Sequence, residues 1–242
     1  MISSWSTLGL ILLGLTTFAR AQDAAEVEDN DTSPYHVALL DYKAGKFPEA
    51  LDALRQGSAG STAAPEEKVV VLESKILTEL KRYDEGEKLL RTRLDGPDAA
   101  QTQVALGDLL LRKRSFDRAA KYYNLALQAK PNDPDITLKL VYARIGASDM
   151  VGAGQDASRL TPLDPKNPYD AHASYYFAKA ALAQATGKTQ EADDDIQAAR
   201  TIYGITVTNR YLKLYLEIFA SSEKDASGDM TPPPLIKAPP PK

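Results

Sequence analysis

The sequence predicts an all-α fold of stacked helical hairpins, and three observations carry that prediction. Clusters of β-branched residues of the kind that mark strands are scarce, while Ala, Leu, Lys, Asp and Glu abound. Small residues recur at Ala50, Gly86, Ala119, Ala153 and Ala192, at intervals of 36, 33, 34 and 39 residues, each close to one helix-turn-helix unit. The stretch "FDRAAKYYNLALQAKP", residues 116–131, sets Ala119, Tyr123 and Ala126 on one helical face and stops at Pro131. A face of alanines is flat enough for a second helix to approach closely, so each unit is expected to be a packed pair.

The elements follow in order. Residues 1–21 read as a signal peptide, because an apolar run from Leu8 to Leu15 precedes Ala19-Arg20-Ala21, and the mature chain is expected to start at Gln22. Residues 22–32, "QDAAEVEDNDT", form a flexible acidic leader. The first hairpin, "YHVALLDYKAGKFPEALDALRQG", has Gly45 at its turn and the Phe47, Ala50 pair after it. A linker, "GSAGSTAAPEE", leads to a second hairpin with Ser74 as the small residue of its first helix and the Tyr83, Gly86 pair in its second. The third, "AQTQVALGDLLLRKRSFDRAAKYYNLALQAKPND", carries Leu106-Gly107, Phe116, Ala119, Tyr123, Ala126 and Pro131. The fourth ends in "LDP" at Pro165, with Gly146 two residues early for its turn, and the fifth has Ala180, Gly187, Ala192 and Ala199. Residues 205–223 read as a capping helix with Tyr211, Leu212, Leu214, Tyr215, Leu216 and Phe219 as its apolar residues, since a terminal repeat otherwise exposes its apolar face. Residues 224–242 are a Pro-rich tail, extended or disordered, a spacer or a polyproline ligand.

The third hairpin resembles the tetratricopeptide repeat family at each of the positions just quoted, and the other four share its phase. Roughly residues 33–204 carry the resemblance. It implies a right-handed α-solenoid of about five repeats plus the capping helix, with the first helix of each pair lining the concave face. By register with the family, the inward candidates are Tyr42, Lys43, Lys75, Glu79, Asp108, Arg112, Tyr142, Phe177 and Gln184, a mixed-charge set suited to peptide or protein contacts. The lysine and asparagine clamp that some members use on a C-terminal carboxylate is missing, because Tyr35 and Leu39 stand where it is expected.

Composition narrows the function. The chain has 242 residues, 43% apolar and 26% charged, which suffices for a core of domain size. It contains no cysteine, which excludes disulfides, thiolate metal sites, a cysteine nucleophile and a lipidated cysteine. Net charge is −4, and losing Arg20 with residues 1–21 lowers it by one more, so nucleic acid is not an expected partner. No segment after the leader is apolar enough to span a bilayer, so the mature chain is expected to lie in an exported compartment, periplasmic or secreted.

Four short motifs suggest chemistry and lose it in context. "ATGKT", 185–189, has Leu182 where a phosphate-binding loop needs its first glycine and follows a helix, so Gly187 and Thr189 read as a helix stop and an N-cap. "GAGQDA", 152–157, lacks a preceding strand, and Ala153 is already the repeat's packing residue. "EADDD", 191–195, points its acids in different directions around a helix and reads as a solvated face. His36 and His172 begin first helices with no partner at ligand spacing, and a hydrolase built on His172 and Asp170 is the remaining catalytic option. No catalytic, cofactor or metal residues are expected. The reading is a non-catalytic scaffold of the cell envelope that binds a protein or peptide, and the alternative is a cell-wall glycan module stacking sugars on Tyr122, Tyr175 and Tyr176.

Overall fold

Five helical hairpins follow one another along the chain in a computed structural model that describes residues 32–59, 66–96, 99–162 and 172–219. The pairs are α1 (Pro34–Lys43) with α2 (Phe47–Ser58), α3 (Glu67–Glu79) with α4 (Tyr83–Arg91), α5 (Ala99–Arg112) with α6 (Phe116–Ala129), α7 (Pro134–Gly146) with α8 (Met150–Ala157), and α9 (Ala173–Ala185) with the start of α10 (Thr189–Phe219). No strand occurs among the described residues. First helices pack on first helices, α3 on α5 and α7 on α9, and each second helix packs on the first helix that follows it. That is the contact pattern of an α-solenoid. The expected signal peptide, most of the expected acidic leader, Pro165, Asp170 and the Pro-rich residues 224–242 lie outside the described residues.

One turn design closes all five hairpins. A residue with positive φ stands in each: Gly45 (76°), Lys81 (59°), Arg114 (61°), Ser148 (63°) and Gly187 (76°). The residue after it donates its N–H to a carbonyl five positions back, as Lys46 to Asp41, Arg82 to Leu77, Ser115 to Leu110, Asp149 to Arg144 and Lys188 to Ala183, at 2.8–2.9 Å. These bonds satisfy carbonyls that a helix end leaves open, and they set the sharp reversal. Each left-handed residue lies five positions before a small residue of the second helix, so turn and packing share one phase. In the fourth hairpin the structure agrees with the reading that Gly146 falls two residues early for the turn. Ser148 takes the left-handed turn position, and Gly146 ends α7 where the ring of Phe116 fills the space a Cβ would need.

The small residues do what their spacing implies. Ala50, Ala119, Ala153 and Ala192 are fully buried or nearly so, and a Cβ on Gly86 would meet the Leu109 side chain at 2.7 Å. Gly107 lets α5 and α6 touch, since a Cβ there would stand 2.6 Å from the ring of Tyr123. Starts are also locally encoded: Asp133 caps α7 by accepting from the N–H groups of Asp135 and Ile136, and Asp149 caps α8 by accepting from Gly152. Thr189 is the first helical residue of α10 rather than the cap before it.

The last element departs from a simple terminal cap. At Gly204 the backbone leaves helical geometry (φ 78°, ψ 163°), which divides α10 into two segments. Residues 189–203 complete the fifth hairpin through buried Ala192, Ile196 and Ala199. Residues 205–219 cover α9 as a cap does, yet they reach back along the first helices as far as α5 and Glu79 of α3. Among the described residues, no helix is long and apolar enough to cross a membrane.

Candidate partner-binding face

The first helices present a continuous face, and residues 205–219 lie on it. Tyr211, Tyr215 and Phe219 are spaced four apart and are all buried, so one stripe of the segment points inward. Phe177 of α9 stacks on Tyr211 with ring centres 5.4 Å apart and meets Tyr215 edge-on at 6.3 Å. Tyr142 of α7 meets Tyr215 at 6.4 Å and Phe219 at 5.2 Å, both edge-on. Each such ring contributes about 1.5–3 kcal/mol by leaving water, plus about 0.5–1.5 kcal/mol where two rings meet in these geometries. The two apolar anchors of the face, Tyr142 and Phe177, are therefore covered by the chain's own segment.

Charges fix the register at both ends of this contact. Near α7, the Tyr211 hydroxyl donates to Asp135 at 2.7 Å, Arg210 pairs with Asp135 at 3.2 Å and its guanidinium lies 4.5 Å from the centre of the Tyr211 ring. Near α5, Arg112 donates to Glu217 at 2.9 Å and also pairs with Glu79 at 3.6 Å. Lys213 stands 3.8 Å from both Glu79 and Glu217, and Arg114 donates to the backbone carbonyl of Ile218 at 3.4 Å. Burial alone would lower the Arg112 guanidinium, but Glu217, Asp108 and Glu79 outweigh it and raise it above its ordinary value. Arg112 is thereby a fixed cation at the centre of an acidic ring.

Two buried tyrosines differ in how their hydroxyls are satisfied. Tyr123 donates to Asp108 at 2.8 Å, and Lys139 holds the other Asp108 oxygen at 2.8 Å. The Tyr142 hydroxyl is buried under residues 205–219 with no hydrogen-bond partner. An unsatisfied buried hydroxyl costs about 1–3 kcal/mol. Burial raises both phenols well above their ordinary value. Tyr211 and Tyr215 are pushed up to about 12, in each case first by burial, then by the Asp135 hydrogen bond for Tyr211 and by Asp193 for Tyr215.

Of the nine residues expected on the inner face, the structure brings six into this arrangement. Glu79 and Arg112 are ion-paired to the segment, Tyr142 and Phe177 lie beneath it, and Asp108 is held by Tyr123 and Lys139. Tyr42 is half-buried beside Phe47 at 5.8 Å, and its phenol is raised by burial and by Glu79. Lys43 and Lys75 are exposed and Gln184 is half-buried. Sequence reasoning missed Asp135 and Lys139, which carry no repeat signature. The four-residue spacing of Tyr211, Tyr215 and Phe219 was the available signal for an anchored stripe.

The other motifs resolve as surface chemistry. Within 191–195, Glu191 pairs with Lys188 at 3.1 Å, Asp195 with Lys179 at 2.8 Å, and Asp194 accepts from Gln190 at 3.0 Å. No group of acids and histidines at metal-binding distance occurs among the described residues. "GAGQDA" falls within α8, where Asp156 pairs with Arg144 at 2.6 Å. Tyr175 and Tyr176 meet edge-on at 5.1 Å, Tyr176 meets Tyr203 at 6.2 Å, and Tyr122 is half-buried.

These features define a helical-hairpin solenoid with an occupied first-helix face. Residues 100–133 match the tetratricopeptide repeat family. No curated protein sequence matches the chain significantly. Among solved structures, the chain is similar to a tetratricopeptide repeat protein from Parabacteroides merdae ATCC 43184, at 16% identity and a TM-score of 0.56, covering 76% of this chain and 70% of that one. It is similar to MamA from Desulfovibrio magneticus RS-1, from residue 41 of that protein to its end, at 15% identity and a TM-score of 0.53, over 70% of this chain and 93% of the other. PilF of Pseudomonas aeruginosa matches at 17% identity and a TM-score of 0.51, over 74% and 80% of the two chains. At these identities the likeness is one of fold, and the fold is that of tetratricopeptide-repeat solenoids.

Proposed function

We propose that the chain is a non-catalytic protein-interaction scaffold of the cell envelope that takes a protein or peptide partner on its first-helix face. Solenoids of this fold generally act by holding other polypeptides along an extended surface. The observation that carries the reading is the docked segment itself. A face that seats Tyr211, Tyr215 and Phe219 between Tyr142 and Phe177, with Arg112 paired to Glu217, has the anchors and the charge needed to hold a helix. Placement in the envelope rests on the signal sequence of residues 1–21. The glycan alternative has no comparable support, because Tyr175, Tyr176 and Tyr203 are turned edge-on to one another and present no flat stacking platform.

Crosslinking of the full-length protein in intact cells, with fractionation and mass spectrometry of the attached peptides, tests this reading. The expected result is an envelope fraction and crosslinks to one protein through Lys43, Lys75 or Lys213. Attachment to wall material alone, or recovery outside the envelope, overturns it.

A further inference from the structure

Resting on that scaffold reading, we propose that residues 205–219 are a built-in occupant of the partner site. The segment swings out about Gly204 and yields the face of α5, α7 and α9 to an amphipathic helix of another protein. The chemistry of that helix is written in the segment it replaces: aromatic residues at i, i+4 and i+8 for Phe177 and Tyr142, and a carboxylate two positions before the last aromatic for Arg112.

Four independent observations converge on a segment built to leave. Gly204 holds φ 78° and ψ 163°, backbone space that is essentially restricted to glycine, and nothing lies within 4 Å of where its Cβ would be. The joint is thus free of packing, as a hinge requires. Just beyond it, Ile205, Thr206, Val207 and Thr208 are all β-branched, a poor start for a helix that must stand by its own propensity. On the outward side, Ile205, Val207 and Leu216 are 59%, 45% and 41% exposed, so only one stripe of the segment is held. Beneath it, the fully buried Tyr142 hydroxyl has no hydrogen-bond partner, although the segment is otherwise held by the Arg112–Glu217 and Tyr211–Asp135 bonds. A partner helix that brings an acceptor to that hydroxyl would fit the face better than the resident one does. Departure leaves the repeats intact, because residues 189–203 hold the fifth hairpin through Ala192, Ile196 and Ala199.

The arrangement lowers apparent affinity for any partner by the fraction of molecules in which the face is open. A fluorescent peptide copying residues 205–219, titrated by anisotropy into the full-length protein, reads this directly. The comparison is a full-length variant carrying Tyr211→Ser, Tyr215→Ser and Phe219→Ser, which removes the resident anchors. We expect the variant to bind the peptide at least about tenfold more tightly than the unaltered chain. Adding Arg112→Glu should weaken that binding about tenfold, and a peptide carrying Glu217→Arg should restore it. Equal binding to both chains, or none by a variant that keeps its helical circular dichroism, overturns the proposal.

Should the variant fail to fold, hydrogen exchange on the unaltered protein decides instead. Amides of 208–219 exchanging at least about tenfold faster than those of α9 support a segment that opens locally, and equal protection of the two overturns it. A dimer formed by exchange of the segment between two copies also overturns the assignment to a foreign partner. Failure here is separable from failure of the scaffold reading. Partner capture in cells without peptide displacement leaves the scaffold standing with a permanently filled face, whereas displacement without capture removes the scaffold.

Discussion

Two tyrosines at comparable depth, Tyr123 in the third hairpin and Tyr142 under the C-terminal segment, show two standards of packing in one molecule. Tyr123 presses against Gly107, where even a Cβ would clash, and its hydroxyl is bonded to an aspartate that a lysine holds in turn. Tyr142 is equally buried, but its hydroxyl is orphaned and its neighbours are rings arriving from the far end of the chain. The contact within the hairpin is finished in every polar detail. The contact with residues 205–219 is apolar and charged where it gains most, and it leaves the Tyr142 hydroxyl without a partner.

The largest test of that contrast is Gly107→Ala. The added methyl stands 2.6 Å from a ring atom of Tyr123 that is fixed in the core, and the substitution should cost about 3 kcal/mol of global stability in urea unfolding. Next in size is Gly204→Ala, which forces a Cβ into glycine-only backbone space at about 2 kcal/mol. Its cost should fall on docking rather than on the fold: faster hydrogen exchange in 205–219, with α5 to α8 unchanged. Tyr123→Phe should destabilise the protein by about 1.5 kcal/mol, because it removes a hydrogen bond to a charged acceptor.

Alkaline titration separates the two regions by pH. Tyr211 and Tyr215 titrate at about 12 when docked, above the ordinary phenol value near 10, so the docked state binds their protons more tightly than the released one. Their contribution to docking is complete below about pH 10 and is lost as pH rises toward about 12. Tyrosinate absorbance and near-ultraviolet circular dichroism should change together over that interval, before the helical signal of the repeats is lost. The smallest expected effect is Tyr142→Phe, which deletes the orphan hydroxyl and should be neutral or stabilising by up to about 1 kcal/mol. A loss as large as that of Tyr123→Phe would show that Tyr142 is satisfied after all, and the contrast would fail.

Legibility in the sequence follows the same division. Ala119, Tyr123 and Ala126 announced the third hairpin, and the phase of the small residues located the other four, because each contact joins residues within one repeat or its neighbour. Gly146 stood two residues early for the fourth turn in the sequence, and only the position of Phe116 shows what that glycine makes room for. Register assigned Arg112, Glu79, Tyr142 and Phe177 to first helices, and in the structure residues 205–219 lie against them. It could not show that they were already covered.

By itself the sequence determined the helices, their pairing and the helix that lines each step of the face, since hydrophobic period, small-residue spacing and turn geometry are local quantities. Only the tertiary structure decided what rests on that face. The bond between Arg112 and Glu217 spans 105 positions of sequence, and no periodicity reaches that far. It exists because one glycine takes a backbone conformation that turns an aromatic stripe back toward rings able to bury it.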